Sequence, residues 1–356
     1  MVSYHWLIYL VAFLAAFSVS ILTTPLAKKI SMRLGAIDYP KKRGLHSTPM
    51  PRMGGLAIFF GFIAAMTVLI PFIEEFRTIQ FGGFIAGAII IVILGMIDDV
   101  KNIKPLTKFS IQLCATIIVV ATGTRIEMIM WPMHIYPDVL EVFSIPFTII
   151  WILGITNAVN LIDGVDGLAA GVSSICGSFL MILCILTGSP MAVVFTASLT
   201  GSSLGFLPRN FNPAEIYMGD TGSTFLGYVL AVSSIMSLFK TYTLLAILIA
   251  ILVIAFPILD TVFAMIRRLR NHVPLMTADR GHLHHRLIDM GYSQKQAVVI
   301  LYVLSAVAGL IAVLITLGDG MSAIIATVFL IVASMMIYVY KKRLDNEKQI
   351  ENVKEK

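Results

Sequence analysis

Two carboxylates three residues apart, Asp163 and Asp166, stand in the stretch Asn157-Ala-Val-Asn160-Leu-Ile-Asp163-Gly-Val-Asp166-Gly-Leu168, a glycine-rich turn directly behind a long apolar run. The arrangement recurs in kind. Asp98 and Asp99 close the apolar run 81–97, and Gly219-Asp220 opens another. Carboxylates brought repeatedly to the ends of apolar segments call for divalent-cation and phosphate chemistry at a membrane surface, not for a pore.

Each block has a chemical and a bland explanation. Neighbours on a helix point about 100° apart, so Asp98 and Asp99 serve one site only at a helix end or turn. Two close carboxylates repel, and a cation such as Mg²⁺ relieves this while keeping positions for water and phosphate; Mn²⁺ is the alternative ion. The bland reading is a pair capping the next helix. Lys101, Lys104 and Lys108 follow and can hold phosphate oxygens. A polar loop with a cap at Asp166 would explain one aspartate, but not two beside Asn157 and Asn160, whose amides can pair with a base or sugar. Glycines there let a ligand approach the backbone. The third block runs from Asn210 through Tyr217 to Asp220 and Ser223, an island between apolar runs whose aromatic can stack on a base. Asp220 alone could be a helix cap. The last polar loop carries His282, His284 and His285 behind Asp279-Arg280. No further ligand completes a tetrahedral zinc set at the usual spacing, and Arg and His beside clustered carboxylates suit a lid over a diphosphate.

What positions these residues follows from composition. Of 356 residues 58% are apolar and 13% charged, against roughly 25% charged in soluble domains, and mean hydropathy is +0.91. The chain reads as an all-α polytopic integral membrane protein. About 20 apolar residues cross a bilayer, which predicts about 11 transmembrane helices: 6–27, 54–73, 81–97, 106–123, 142–160, 167–187, 190–207, 221–238, 242–263, 297–317 and 321–340. With the N-terminus outside and the C-terminus cytoplasmic, 23 of the 26 Lys and Arg fall on the inner side, as the positive-inside rule requires. The net charge of +6 is thereby accounted for without nucleic acid. The first apolar run lacks a preceding basic residue and is followed by Lys28-Lys29, so it reads as an uncleaved span. Acidic groups stay at or near the inner face, Asp260 being the deepest; a transporter tends to bury such groups at mid-membrane. Cys114, Cys176 and Cys184 lie in apolar runs and read as small buried residues. The expected organisation is one transmembrane catalytic domain, 1–340, with its site on cytoplasmic loops 28–53, 98–108, 157–168, 208–223 and 264–296, and a charged cytoplasmic tail, 341–356. The outer loop 124–141, with Trp131 and His134, reads as an interfacial segment.

Six ordered blocks then carry a family resemblance: Asp38 to His46, Pro51-Arg52-Met-Gly-Gly55, Asp98-Asp99, Asn157 to Leu168, Met218-Gly-Asp220 and His282-Leu-His-His285. Over residues 20–290 the chain resembles the polyprenyl-phosphate N-acetylhexosamine-1-phosphate transferases. The resemblance implies transfer of a sugar-1-phosphate from a UDP-N-acetylhexosamine to undecaprenyl phosphate in a bacterial plasma membrane, with Mg²⁺, releasing UMP. It also implies Asp220 as principal metal ligand with Asp99 beside it, Asp98, Asp99, Asp163 and Asp166 as the catalytic acids, and Lys108 near the phosphates. Asn160, Asn210 and Tyr217 fall near the uridine, with Arg52, Asn157, His282, His284 and His285 also on the substrates. Arg52 and the interrupting Leu283 set the chain apart from the muramoyl-pentapeptide branch and make it more similar to the N-acetylglucosamine branch that starts teichoic acid and O-antigen synthesis. The expected partners are the two substrates and the lipid bilayer, with a homodimer as the assembly to test. The competing readings are the muramoyl branch, a transporter, and a CDP-alcohol phosphotransferase, whose Ala-Arg and downstream acidic signature are missing.

Overall fold

In a computed structural model the described residues are 5–39, 49–126, 137–238, 244–272 and 282–318, with 320, 321, 324 and 327. Trp131, His134, Asp279, Arg280, residues 40–48 of the first polar block, most of the expected span 321–340 and the tail 341–356 lie outside them.

The chain folds as helices: α1 His5–Leu34, α2 Gly55–Leu69, α3 Ile79–Lys101, α4 Pro105–Ala121, α5 Pro137–Ile162, α6 Leu168–Leu186, α7 Pro190–Asn210, α8 Gly219–Leu238, α9 Leu244–Val253, α10 Ala255–Arg270, α11 Leu283–Asp289 and α12 Gln294–Thr316. A two-residue antiparallel ribbon, β1 Ile37–Asp38 with β2 Met50–Pro51, lies between α1 and α2. Among the described residues seven helices are long and apolar enough to cross a membrane: α1, α2, α3, α5, α6, α7 and α12. The protein is a multi-pass membrane protein.

Two departures from the expected spans have local causes. The single span over 242–263 is two helices, because Pro257 has no N–H for the Val253 carbonyl, and Ile254 leaves helical geometry (φ −104°, ψ 22°). The polar connections are also shorter than the predicted loops. Asp98 and Asp99 lie in the last turn of α3, Asn157 and Asn160 in the last turns of α5, and Asn210 ends α7, so only 102–104, 163–167 and 211–218 connect these helices. A polar residue costs a helix end little when its side chain reaches out of the bilayer.

α7 is the central helix, covered on nearly all sides. Its Gly201 and Gly205 face the carbonyls of Phe13 and Phe17 so closely that a Cβ at either would collide with them. Helices without a hydrophobic drive between them pack through such small residues, and Ser20 Oγ donates to the Ser202 carbonyl at 2.7 Å. Phe84 and Phe195 stack at 4.1 Å and Phe62 meets Phe225 edge-on at 5.3 Å. Tyr228 Oη donates to the Phe84 carbonyl at 2.8 Å. This aromatic knot fixes α2, α3, α7 and α8 to one another, and with them the ends that carry the acids.

Candidate active site

The start of α8 is the centre of the acidic end. Gly219 holds φ +71°, and a Cβ there would collide with the Arg52 carbonyl and the Asp99 carboxylate. Glycine therefore lets α3 and the 52–55 segment close on the α8 terminus. Gly54 N–H and Gly55 N–H donate to the carbonyls of Tyr217 and Met218, each at 2.9 Å, and Tyr217 N–H donates to the Pro51 carbonyl at 2.8 Å.

Asp99 is fully enclosed in that contact. Its Oδ1 accepts from Asp220 N–H at 2.9 Å and Arg52 Nε at 3.2 Å, and its Oδ2 from Thr221 Oγ1 at 2.6 Å and Thr221 N–H at 3.1 Å. It caps α8 from another helix. Four donors fill a carboxylate's acceptor sites, so the expected metal-ligand place for Asp99 is taken in this structure by the scaffold.

Asp98, one residue back, points elsewhere. Its Oδ1 accepts from Ile103 N–H at 2.7 Å and its Oδ2 pairs with Lys108 Nζ at 2.9 Å. Lys108 also pairs with Asp220 Oδ2 and donates to Asn160 Oδ1 at 3.2 Å. Asn160 Nδ2 reaches Asp220 Oδ1 at 2.7 Å and Ser223 Oγ at 2.8 Å. Lys108 thus stands between the carboxyls of Asp98 and Asp220.

Asp163 stands beside this pair, and its carboxyl has no hydrogen-bond partner among the described residues. Burial first, then the charges of Asp220 and Asp99, push its pKa up to about 8. A carboxyl that resists ionisation in a crowd of like charges marks a shortage of positive charge. Among the described residues no three His, Cys, Asp or Glu side chains converge tightly enough to cage a metal. Mg²⁺ needs no such cage, since one or two carboxylates complete its shell with phosphate and water. Asp98 and Asp220, which share the Lys108 ammonium, are the carboxylates that could hold such an ion.

The other expected site residues are braces or neighbours. Asp166 Oδ2 accepts from Asn212 Nδ2 and Ala214 N–H, both at 3.1 Å, and so holds the 211–218 connection. Asn210 Nδ2 donates to the Ile216 carbonyl at 3.0 Å within it. Asn157 lies one turn deeper, donating to Gln112 Oε1 at 2.9 Å. Tyr217 is half-buried; burial and the charges of Asp166, Asp38 and Asp163 push its phenol up to about 12, so it stays neutral. His284 is buried with its Nε2 against Gly164. Burial, then the charge of His285, lowers it to about 4. His284 is therefore neutral near pH 7 and brings no positive charge to the expected diphosphate lid. His285 lies on its ring at 4.3 Å between centroids, and His282 is paired with Asp260.

Sequence reasoning missed Gln112 and the roles of Thr221, Ser223 and Asn212. Gln112 had a signal: it is four residues after Lys108, on one face of α4, in an otherwise apolar run. Thr221, Ser223 and Asn212 sit inside the polar block already singled out.

A polytopic helical protein with carboxylates and a lysine gathered at one end of its bundle has the layout of a membrane enzyme acting on charged substrates. The family model described as glycosyl transferase family 4 matches residues 81–238. The chain is 38% identical to a probable undecaprenyl-phosphate N-acetylglucosaminyl 1-phosphate transferase of Bacillus subtilis, over 95% of this chain and 94% of that one. It is 33% identical to a decaprenyl-phosphate N-acetylglucosaminephosphotransferase of Mycobacterium tuberculosis H37Rv (81% and 78%). It is 27% identical to the undecaprenyl-phosphate alpha-N-acetylglucosaminyl 1-phosphate transferase of Escherichia coli K12 (81% and 78%). The chain belongs to glycosyl transferase family 4.

Proposed function

We propose that the protein transfers N-acetylglucosamine-1-phosphate from UDP-N-acetylglucosamine to undecaprenyl phosphate, giving undecaprenyl-diphosphate-N-acetylglucosamine and UMP, as the first membrane step of a cell-wall polymer such as teichoic acid. The observation that carries this is the group Asp98, Asp163, Asp220 and Lys108, short of positive charge at one end of a membrane bundle, in a chain whose relatives bear names of that activity. The site faces the cytoplasm, with the N-terminus outside, eleven spans and the tail 341–356 inside; the sidedness of Lys and Arg supports this.

Asp220 and Asp98 are the residues that would hold Mg²⁺, which when bound offsets the charge of the two phosphate-bearing substrates and polarises the attacked phosphorus. Lys108 binds phosphate oxygens, and Asn160 orients Asp220. The lipid phosphate, with a second pKa near 6, is already mostly a dianion and attacks the sugar-bearing phosphorus directly. The bond from that phosphorus to UMP breaks, and UMP leaves with the electron pair. Asp98 orients the acceptor or takes its residual proton, a contribution of about 10²–10⁴-fold. Tyr217 and the 211–218 connection face the nucleoside.

Purified protein in detergent, given UDP-N-acetylglucosamine and a polyprenyl phosphate, should release UMP without a sealed membrane, and a panel of UDP-sugars should place N-acetylglucosamine first. No release with any of them overturns the reading. UMP and a phosphoryl-enzyme formed without lipid acceptor would replace direct attack by double displacement. Light scattering of the same sample tests for a homodimer.

A further inference from the structure

Asp260 has no part in the acidic group. It sits on the inward stripe of α10, with Phe256, Pro257, Ala264 and Arg268 buried on the same side, while Leu259, Val262, Phe263 and Leu269 face outward. Both of its oxygens are used, and both go to the start of α11. Oδ2 lies 2.7 Å from His282 Nδ1, and Oδ1 accepts from Leu283 N–H at 2.8 Å. Asp260 and His282 are 6% and 5% exposed, so the pair is closed to water.

From His282 the contact continues to the acidic turn. The His282 ring lies parallel to that of His284, 4° between planes and 5.7 Å between centroids. His284 is 1% exposed, its Nε2 lies against Gly164, and neither of its ring nitrogens has a hydrogen-bond partner among the described residues. A buried imidazole with two unused nitrogens costs free energy unless something completes it. It is set at the turn between Asp163 and Asp166, where the substrates of the proposed reaction would supply that partner.

We propose that Asp260 is a positioning residue for the transfer reaction: its carboxylate seats α11 on the acidic turn through His282 and so aims the free nitrogens of His284 at the sugar nucleotide. An ionised carboxylate only accepts, so His282 carries its proton on Nδ1 and its tautomer is fixed by this pair, as second-layer carboxylates fix ligating histidines elsewhere. The inference rests on the functional reading above.

The test compares full-length wild type, Asp260→Asn, His282→Gln and the double variant in detergent, by UMP release and by thermal melting. Asparagine keeps the acceptor for Leu283 N–H but can present its amide N–H to Nδ1, which forces the other tautomer. An orienting contact of this kind is worth about 10–100-fold. The expected result is a rise of that order in KM for UDP-N-acetylglucosamine, with KM for the polyprenyl phosphate unchanged. The double variant should be no worse than the poorer single variant, because both break one contact chain. Unchanged kinetics in Asp260→Asn, equal rises in both KM values, or losses that multiply in the double variant each overturn the proposal. If Asp260→Asn does not fold, His282→Gln alone must show the same selective rise, and its absence decides against it. An inactive wild type would instead remove the functional reading on which the inference stands.

Discussion

At the α3–α8 contact one carboxylate, Asp99, accepts from four protein donors. Beside it Asp98, Asp163 and Asp220 have chiefly the Lys108 ammonium, the Asn160 amide and the Ile103 N–H between them. Adjacent residues of one helix turn thus fall on opposite sides of a division. Where the scaffold supplies every donor, the charge is spent on joining helices. Where it supplies too few, the charge is left to attract something from outside. Acid content alone does not define a reacting site; the deficit of donors does.

The sharpest way to break this division is Asp220→Asn. Asparagine keeps the size and the contact with Asn160 but loses the charge, and metal-ion stabilisation is worth several kcal/mol. UMP release should fall about 10³-fold or more with the melting temperature retained. Substantial activity at low Mg²⁺ would put Asp220 with the scaffold. Lys108→Met comes next: one preorganised donor near a charged transition state is worth about 10²-fold. Cation titrations should show tighter Mg²⁺ binding in this variant, since an internal competitor is gone, and weaker binding would reverse the assignment.

Asp99→Asn should move the other observable. An asparagine there turns its amide N–H toward one of the buried donors and leaves it unpaired, at a cost of about 1–3 kcal/mol, so melting in detergent should drop while turnover per folded molecule falls less than in Asp220→Asn. A variant that melts like wild type yet is inactive would return Asp99 to the reacting group. The smallest effect concerns pH. The folded pKa of Asp163, about 8, lies above the ordinary aspartate value near 3.9. The folded state therefore holds the extra proton between these values, and cation-free protein should lose stability as pH rises from about 4 to about 8. Added Mg²⁺ should stabilise more at pH 8.5 than at pH 6, and Asp163→Asn should flatten the difference. An unchanged profile in that variant would show that Asp163 is not the titrating member.

The sequence places the acids at the ends of apolar runs, and Asp98, Asp220, Lys108 and Asn160 do meet there. It does not separate Asp98 from Asp99, because the donors that saturate Asp99 are two backbone amides and a hydroxyl more than a hundred residues ahead and an arginine 47 residues behind, which only the fold brings together. Nor does it show His284 as neutral, since its burial against Gly164 comes only with the fold. Pro257 did carry the break between α9 and α10, but an apolar run of span length masks such a break when composition is read alone.

Helix starts ordinarily collect anions, because their free amides point outward with the positive end of the helix dipole. In α8 that place is filled by Asp99, a built-in occupant that behaves like a captive phosphate group. The nucleotide cannot be gripped there, as it is in proteins whose glycine loops cradle phosphates at a helix start. If Asp98 and Asp220 hold Mg²⁺ as proposed, its hold depends instead on that exchangeable ion, and removal of divalent cations should release the nucleotide.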